Sequence, residues 1–141
     1  MNLRPVLAAA VVLSLATATV ALASGARLSA PSRAHVRQVV KATASNLKPG
    51  RYALTLASDE TLMHMACVAR VGRKHLAVDG VVRLQGRIPR RLTCYENDSV
   101  KLGTVHVTPG HYHLIVAVPD GPSGFNAQNS FARKAIRITR H

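Results

Sequence analysis

Histidine, cysteine and arginine are the residues of this chain with chemistry to offer. His111 and His113 stand two apart in an alternating segment, so both rings leave one side of a strand, opposite Tyr112 and Leu114. His106 lies across the Thr108-Pro109-Gly110 turn and is expected to approach them. Three converging imidazoles would suit zinc or copper. No acid stands near them in sequence to orient the rings, so a solvated strand face is the stronger expectation, with no metal and no cofactor. Only 6 Asp+Glu occur in 141 residues, which leaves few carboxylate pairs for acid–base work. No serine sits in a Gly-x-Ser-x-Gly elbow. The chain therefore reads as non-enzymatic, with a small secreted hydrolase as the weaker alternative. Asp59-Glu60, Glu96-Asn97-Asp98 and Asp120-Gly121 read as turns rather than calcium loops.

Cys67 and Cys94 are the only cysteines. In an oxidising compartment an even pair reads as a disulfide. Closing the chain between them is worth roughly 3–4 kcal/mol in the chain-entropy picture.

Charge is the strongest compositional signal: 19 Lys+Arg against 6 Asp+Glu, a formal net charge of +13. Arg70, Arg73 and Lys74 form one group, and Arg83, Arg87, Arg90 and Arg91 a second. Arg133, Lys134, Arg137 and Arg140 form a third, beside His141. Such a surface attracts polyanions through steering and counterion release. The first two groups flank Asp79-Gly80 and are expected on one continuous face. Aromatic residues are too few to interleave with them, which argues against specific single-strand nucleic-acid recognition. The longest irregular stretch, 119–131, offers Phe125, Asn126 and Gln128 as a recognition loop. Phe131 is expected to tuck onto the core.

The elements that must position these residues follow an N-terminal leader. Arg4, the apolar run Val6–Leu15 and Ala21-Leu22-Ala23 have the charge, apolar stretch and small-residue site of a cleavable signal over 1–23. No second long apolar segment follows, so no mature transmembrane segment is expected. Residues 24–34 read as a flexible leader, and 35–141 as one domain. Over 35–47 a helical spacing competes with strand-forming valines; the strand is preferred because the downstream pattern is β.

From Pro49 onward apolar residues alternate: Tyr52, Leu54 and Leu56; Met63, Met65, Cys67, Ala69 and Val71; Leu92 and Cys94; Ile136 and Ile138. Asp79-Gly80 between apolar arms is a two-residue hairpin signal. The reading is an all-β, antiparallel β-sandwich of about 7–9 short strands.

Leu47-Lys-Pro-Gly-Arg-Tyr52-Ala-Leu-Thr-Leu-Ala57 repeats sixty positions later as Val107-Thr-Pro-Gly-His-Tyr112-His-Leu-Ile-Val-Ala117. The shared Pro-Gly-x-Tyr-x-Leu pattern turns the chain and points a tyrosine inward at the start of a strand. It resembles the corner of immunoglobulin-like and prealbumin-like β-sandwich modules of secreted proteins. The resemblance covers these two windows and implies architecture alone. It departs from antibody-type domains in lacking Trp and in placing Leu114 where their second cysteine would follow the tyrosine.

Together these features describe an exported, non-enzymatic binding module for an anionic cell-envelope polymer or an extracellular protein. The alternative is a secreted inhibitor of an extracellular enzyme acting through the 119–131 loop.

Overall fold

The computed structural model describes residues 25–59, 65–97, 99–119 and 130–140. The segment 1–23, expected to be a cleavable signal, lies outside them, as does Met63. Among the described residues there is no helix, and ten strands form. They are β1 (Arg27–Ser29), β2 (Arg33–His35), β3 (Val39–Ser45), β4 (Arg51–Ser58), β5 (Met65–Leu76), β6 (Val82–Arg87), β7 (Arg91–Glu96), β8 (Val100–His106), β9 (Gly110–Ala117) and β10 (Ser130–Thr139). Seven make a large sheet in the order β2-β10-β9-β4-β5-β7-β8, and three make a small sheet in the order β1-β3-β6. All pairings are antiparallel except β10 with β2, which is parallel.

Side-chain alternation explains how the two sheets share one core. On β4 and β9 the inward residues are Tyr52, Leu54, Leu56 and Tyr112, Leu114, Val116. The small sheet answers with Val40, Ala42, Ala44, Val82 and Leu84, all buried. Its outward positions, Lys41 and Arg83 among them, stay in solvent. Small alanines opposite leucines let the layers interdigitate. Burying each large aliphatic side chain contributes about 1.5–3 kcal/mol.

The repeated windows become equivalent corners. Tyr52 and Tyr112 are both buried. The Tyr52 hydroxyl donates to the Lys48 carbonyl at 2.7 Å, and the Tyr112 hydroxyl to the Thr108 carbonyl at 2.9 Å. Gly50 and Gly110, two residues before each tyrosine, share the same positive φ, 155° and 154°. β4 and β9 are neighbours, with Leu54 opposite Val116 and Leu56 opposite Leu114. That register makes the repeat spatial: a local twofold axis through the Thr55–Ile115 pair carries one window onto the other. Phe131 meets Tyr52 edge-on, its ring centroid 5.6 Å away, and so joins the core as expected.

One segment differs from the sequence reading. Residues 24–34 were expected to be a flexible leader, yet 27–29 pair with β3 and 33–35 with β10. Ala26, Leu28 and Ala30 pack against the core, and this apolar contact holds a segment that lacks sequence periodicity. Within 35–47 the chain is a strand over Val39–Ser45, broken from β2 by a turn with Arg37 at φ 73°.

The Asp79-Gly80 turn forms with both residues at positive φ, and Val78 and Val81 exchange backbone hydrogen bonds of 2.8 and 3.0 Å. It joins strands of different sheets. β5 and β6 cross where glycines allow their backbones to touch. A Cβ on Gly72 would stand 1.9 Å from the Gln85 carbonyl oxygen, and one on Gly86 2.4 Å from the Gly72 nitrogen.

Candidate functional site

The small sheet is three strands wide against seven, and its main contacts with the large sheet reach β4, β5 and β10. The inward residues of β7, Leu92 and Cys94, are still buried, but β8 is left uncovered, with every residue of Val100–His106 exposed. Across the inward face one row runs Tyr112–Ser58 and then Cys67–Cys94–Gly103, each residue in register with its neighbour. The next row carries Leu92 opposite Val105. Together they line a cleft of about 750 Å³, within the range of small-molecule sites.

Its floor is the Cys67–Cys94 disulfide, which forms as expected between directly opposed residues whose Cα atoms are 3.9 Å apart. Gly103 faces Cys94 with no side chain, and a Cβ there would meet nothing within 4 Å. The register slips by one just beyond this pair, so that Cys94 opposes Gly103 and Tyr95 opposes Lys101. Leu102 is the extra residue of that bulge. Bulges re-aim side chains, and Leu102 lines the cleft while remaining 53% exposed. Val105 is 46% exposed, so two large aliphatic side chains stand uncovered over the disulfide. Ser58, Asp59 and Thr108 supply a polar rim.

Asp59 also reaches the outward face of β9, where its carboxylate contacts His113 Nδ1. Sequence reasoning missed this pair, because 54 positions separate its members and only the β4–β9 register joins them. Ser58 belongs to the inward row and His113 to the outward one, so they do not form a hydroxyl–imidazole couple.

The other sequence candidates fall in different places. His111 and His113 do share one side of β9, but His106 ends β8, with three strands between it and β9. The expected approach fails because β8 and β9, although consecutive, do not pair. Among the described residues no three His, Cys, Asp or Glu converge. The two basic groups are divided. Arg70 opposes Thr55 on the outward face of the large sheet, where Arg91 also points, next to inward Leu92. Arg83 and Arg87 project from the outward face of the small sheet. Arg73 and Lys74 follow the Gly72 crossing, and Arg90 lies exposed in the link between β6 and β7. The division follows from the Asp79-Gly80 turn, which changes sheets instead of closing a hairpin within one. Phe125, Asn126 and Gln128 lie outside the described residues.

Two facing sheets, a cross-strand disulfide and an end cleft define an all-β fold whose open end is the candidate site. No family model matches the chain, and no curated protein matches it in sequence. Among solved structures it is similar in fold to macromomycin, with a TM-score of 0.50 and 17% identity, over 81% of this chain and 97% of that one. No helix among the described residues is long and apolar enough to cross a membrane.

Proposed function

We propose that the protein is an exported, non-enzymatic binding module, immunoglobulin-like in its tyrosine corners, that takes a compact and mainly apolar ligand in the cleft over the Cys67–Cys94 bridge. The observation that carries this reading is the pair Leu102 and Val105, held uncovered above a buried disulfide by a bulge and a side-chain-free Gly103. Aliphatic surface held open beside a ready-made cavity is what an apolar ligand removes from water. Ser58 and Thr108 at the rim provide the few polar groups that fix orientation. The disulfide keeps the floor from spreading when the cleft is empty, and it accords with an oxidising extracellular setting.

The test uses the uncharged fluorophore Nile red, so that the basic surface does not compete for it. The wild type should bind it saturably. Leu102→Asp should weaken binding about tenfold, the effect of losing roughly 1.5 kcal/mol of apolar contact. Val39→Asp, at an exposed aliphatic position of the small sheet, should leave binding unchanged. Equal effects of the two substitutions, or none from Leu102→Asp, would refute the cleft assignment.

A further inference from the structure

We propose that the outward face of the large sheet is a docking surface for an anionic polysaccharide. The face is assembled by register from arginines that are far apart in sequence. Arg33 on β2, Arg137 on β10 and His111 on β9 oppose one another directly across three adjacent strands. All three are exposed, and their neighbours Ala34, Ile136, Ile138 and Tyr112 are buried, which fixes them on the outward side. Adjacent strands lie about 4.8 Å apart, so two guanidinium groups project side by side. Like charges directly opposite destabilise a sheet, and an oxyanion between them reverses the sign of that contact.

A second row lies four residues along β10. Arg133 opposes Ile115, Ile115 opposes Thr55, and Thr55 opposes Arg70. Three strand steps, about 14 Å, separate the two arginines of this row. Thr55 and Ile115 between them are buried, whereas Arg133 and Arg70 are exposed. Arg91 occupies the next outward position beyond Thr93 on β7. Five arginines therefore share this face. Among the described residues one acid reaches it, Asp59, and His113 engages that acid.

The chemistry between the rows selects the partner. Ala135, His113, Ala57, Val68 and Thr93 run across the sheet in register, and the rings on this face, His111, His113 and Tyr95, stand singly rather than as an interleaved series that could stack successive bases. Among the described residues the surface is a sheet face, with no helix to enter a DNA groove. Small side chains leave the guanidinium groups reachable, and Thr93 and His113 offer hydrogen-bonding groups to sugar hydroxyls. A linear polymer carrying sulfates or carboxylates on successive sugars meets both rows at once.

Heparin is the probe. Its affinity for the full chain should be measured at several salt concentrations, beside duplex DNA of similar charge. Arg33→Glu/Arg137→Glu should weaken heparin binding at least tenfold at low salt. Lys41→Glu/Arg83→Glu changes the net charge equally but on the opposite face of the molecule, and should weaken binding less than threefold. Circular dichroism checks that both variants fold. Should the first fail, the milder Arg70→Gln replaces it, with a smaller loss that should be accompanied by a shallower salt slope; should the second fail, Lys41→Gln serves as the opposite-face control. Equal losses from the two double variants would show a bulk charge effect and overturn the assignment, as would no loss from the first. Tighter binding of duplex DNA than of heparin, with the same dependence on Arg33 and Arg137, would overturn the polysaccharide as partner. Nile red binding should be unaffected in every variant, so the outcome is independent of the cleft.

Discussion

Replacing each corner tyrosine by phenylalanine separates the hydroxyl from the ring, and the two corners should respond unequally. In Tyr52→Phe one hydrogen bond disappears, the 2.7 Å donation to the Lys48 carbonyl. The ring and its edge contact with Phe131 remain. A typical net contribution puts the loss at about 1 kcal/mol. The Tyr112 hydroxyl has two roles: it donates to the Thr108 carbonyl at 2.9 Å and accepts from the Thr108 amide at 3.0 Å. Tyr112→Phe leaves both backbone groups without it. Water reaches them, since Thr108 is exposed, so the cost is about 1.5–2 kcal/mol rather than twice the single value. Tyr112 opposes Ser58, six residues along β4 from Tyr52, which places the corners about 20 Å apart. At that distance the effects should add within about 0.5 kcal/mol. Urea unfolding followed by far-ultraviolet circular dichroism should show lower midpoints at unchanged slope. In heat the single variants should melt about 4 °C and 6–8 °C lower. A Tyr112→Phe variant no less stable than Tyr52→Phe, or a coupling well above 0.5 kcal/mol, would refute the corner assignment.

Gly72→Ala should cost several kcal/mol in the same assay, because its Cβ would stand 1.9 Å from the Gln85 carbonyl oxygen at a φ of +82°; Gly103→Ala, which clashes with nothing, should cost less. Burial pushes the Tyr52 phenol above its ordinary value of 10.0. The folded state therefore holds this proton after the unfolded chain has released it. The stability concerned is fully present below about pH 10 and is lost as pH rises through the folded value. Tyr52→Phe should remove that part of the alkaline loss, seen in urea midpoints between about pH 9 and 11.

Strand identity was legible in the sequence because inward and outward residues alternate so regularly. Tyr52, Leu54 and Leu56 announce β4, and Ile136 and Ile138 announce β10. The turn at Asp79-Gly80, the cysteine pairing and the twin corners were legible too, since each rests on local chemistry or on parity. What alternation does not carry is which strands are neighbours. It gave no sign that Val78–Val81 joins two sheets, that three strands separate β8 from β9, or that His113 meets Asp59. Gly72 and Gly86 carried a readable hint, because glycine inside a strand marks close backbone approach. The cleft depends on a one-residue slip at Leu102, and only the pairing of β7 with β8 reveals it.

The parallel pairing of β2 with β10 sets a timetable for the chain. Arg33, Ala34 and His35 hold their places in the large sheet against Arg137, Ile138 and Thr139, residues made 104 positions later. Until residues 130–140 are free, β9 has no partner on that side, and the core lacks Ile136 and Ile138. An N-terminal part of the chain cannot settle early and wait. Contacts of such long sequence separation form slowly and leave unfinished edges open to other chains. This domain therefore folds only after residues 130–140 have been made, and a variant truncated before Ser130 should accumulate as aggregate rather than as a smaller domain.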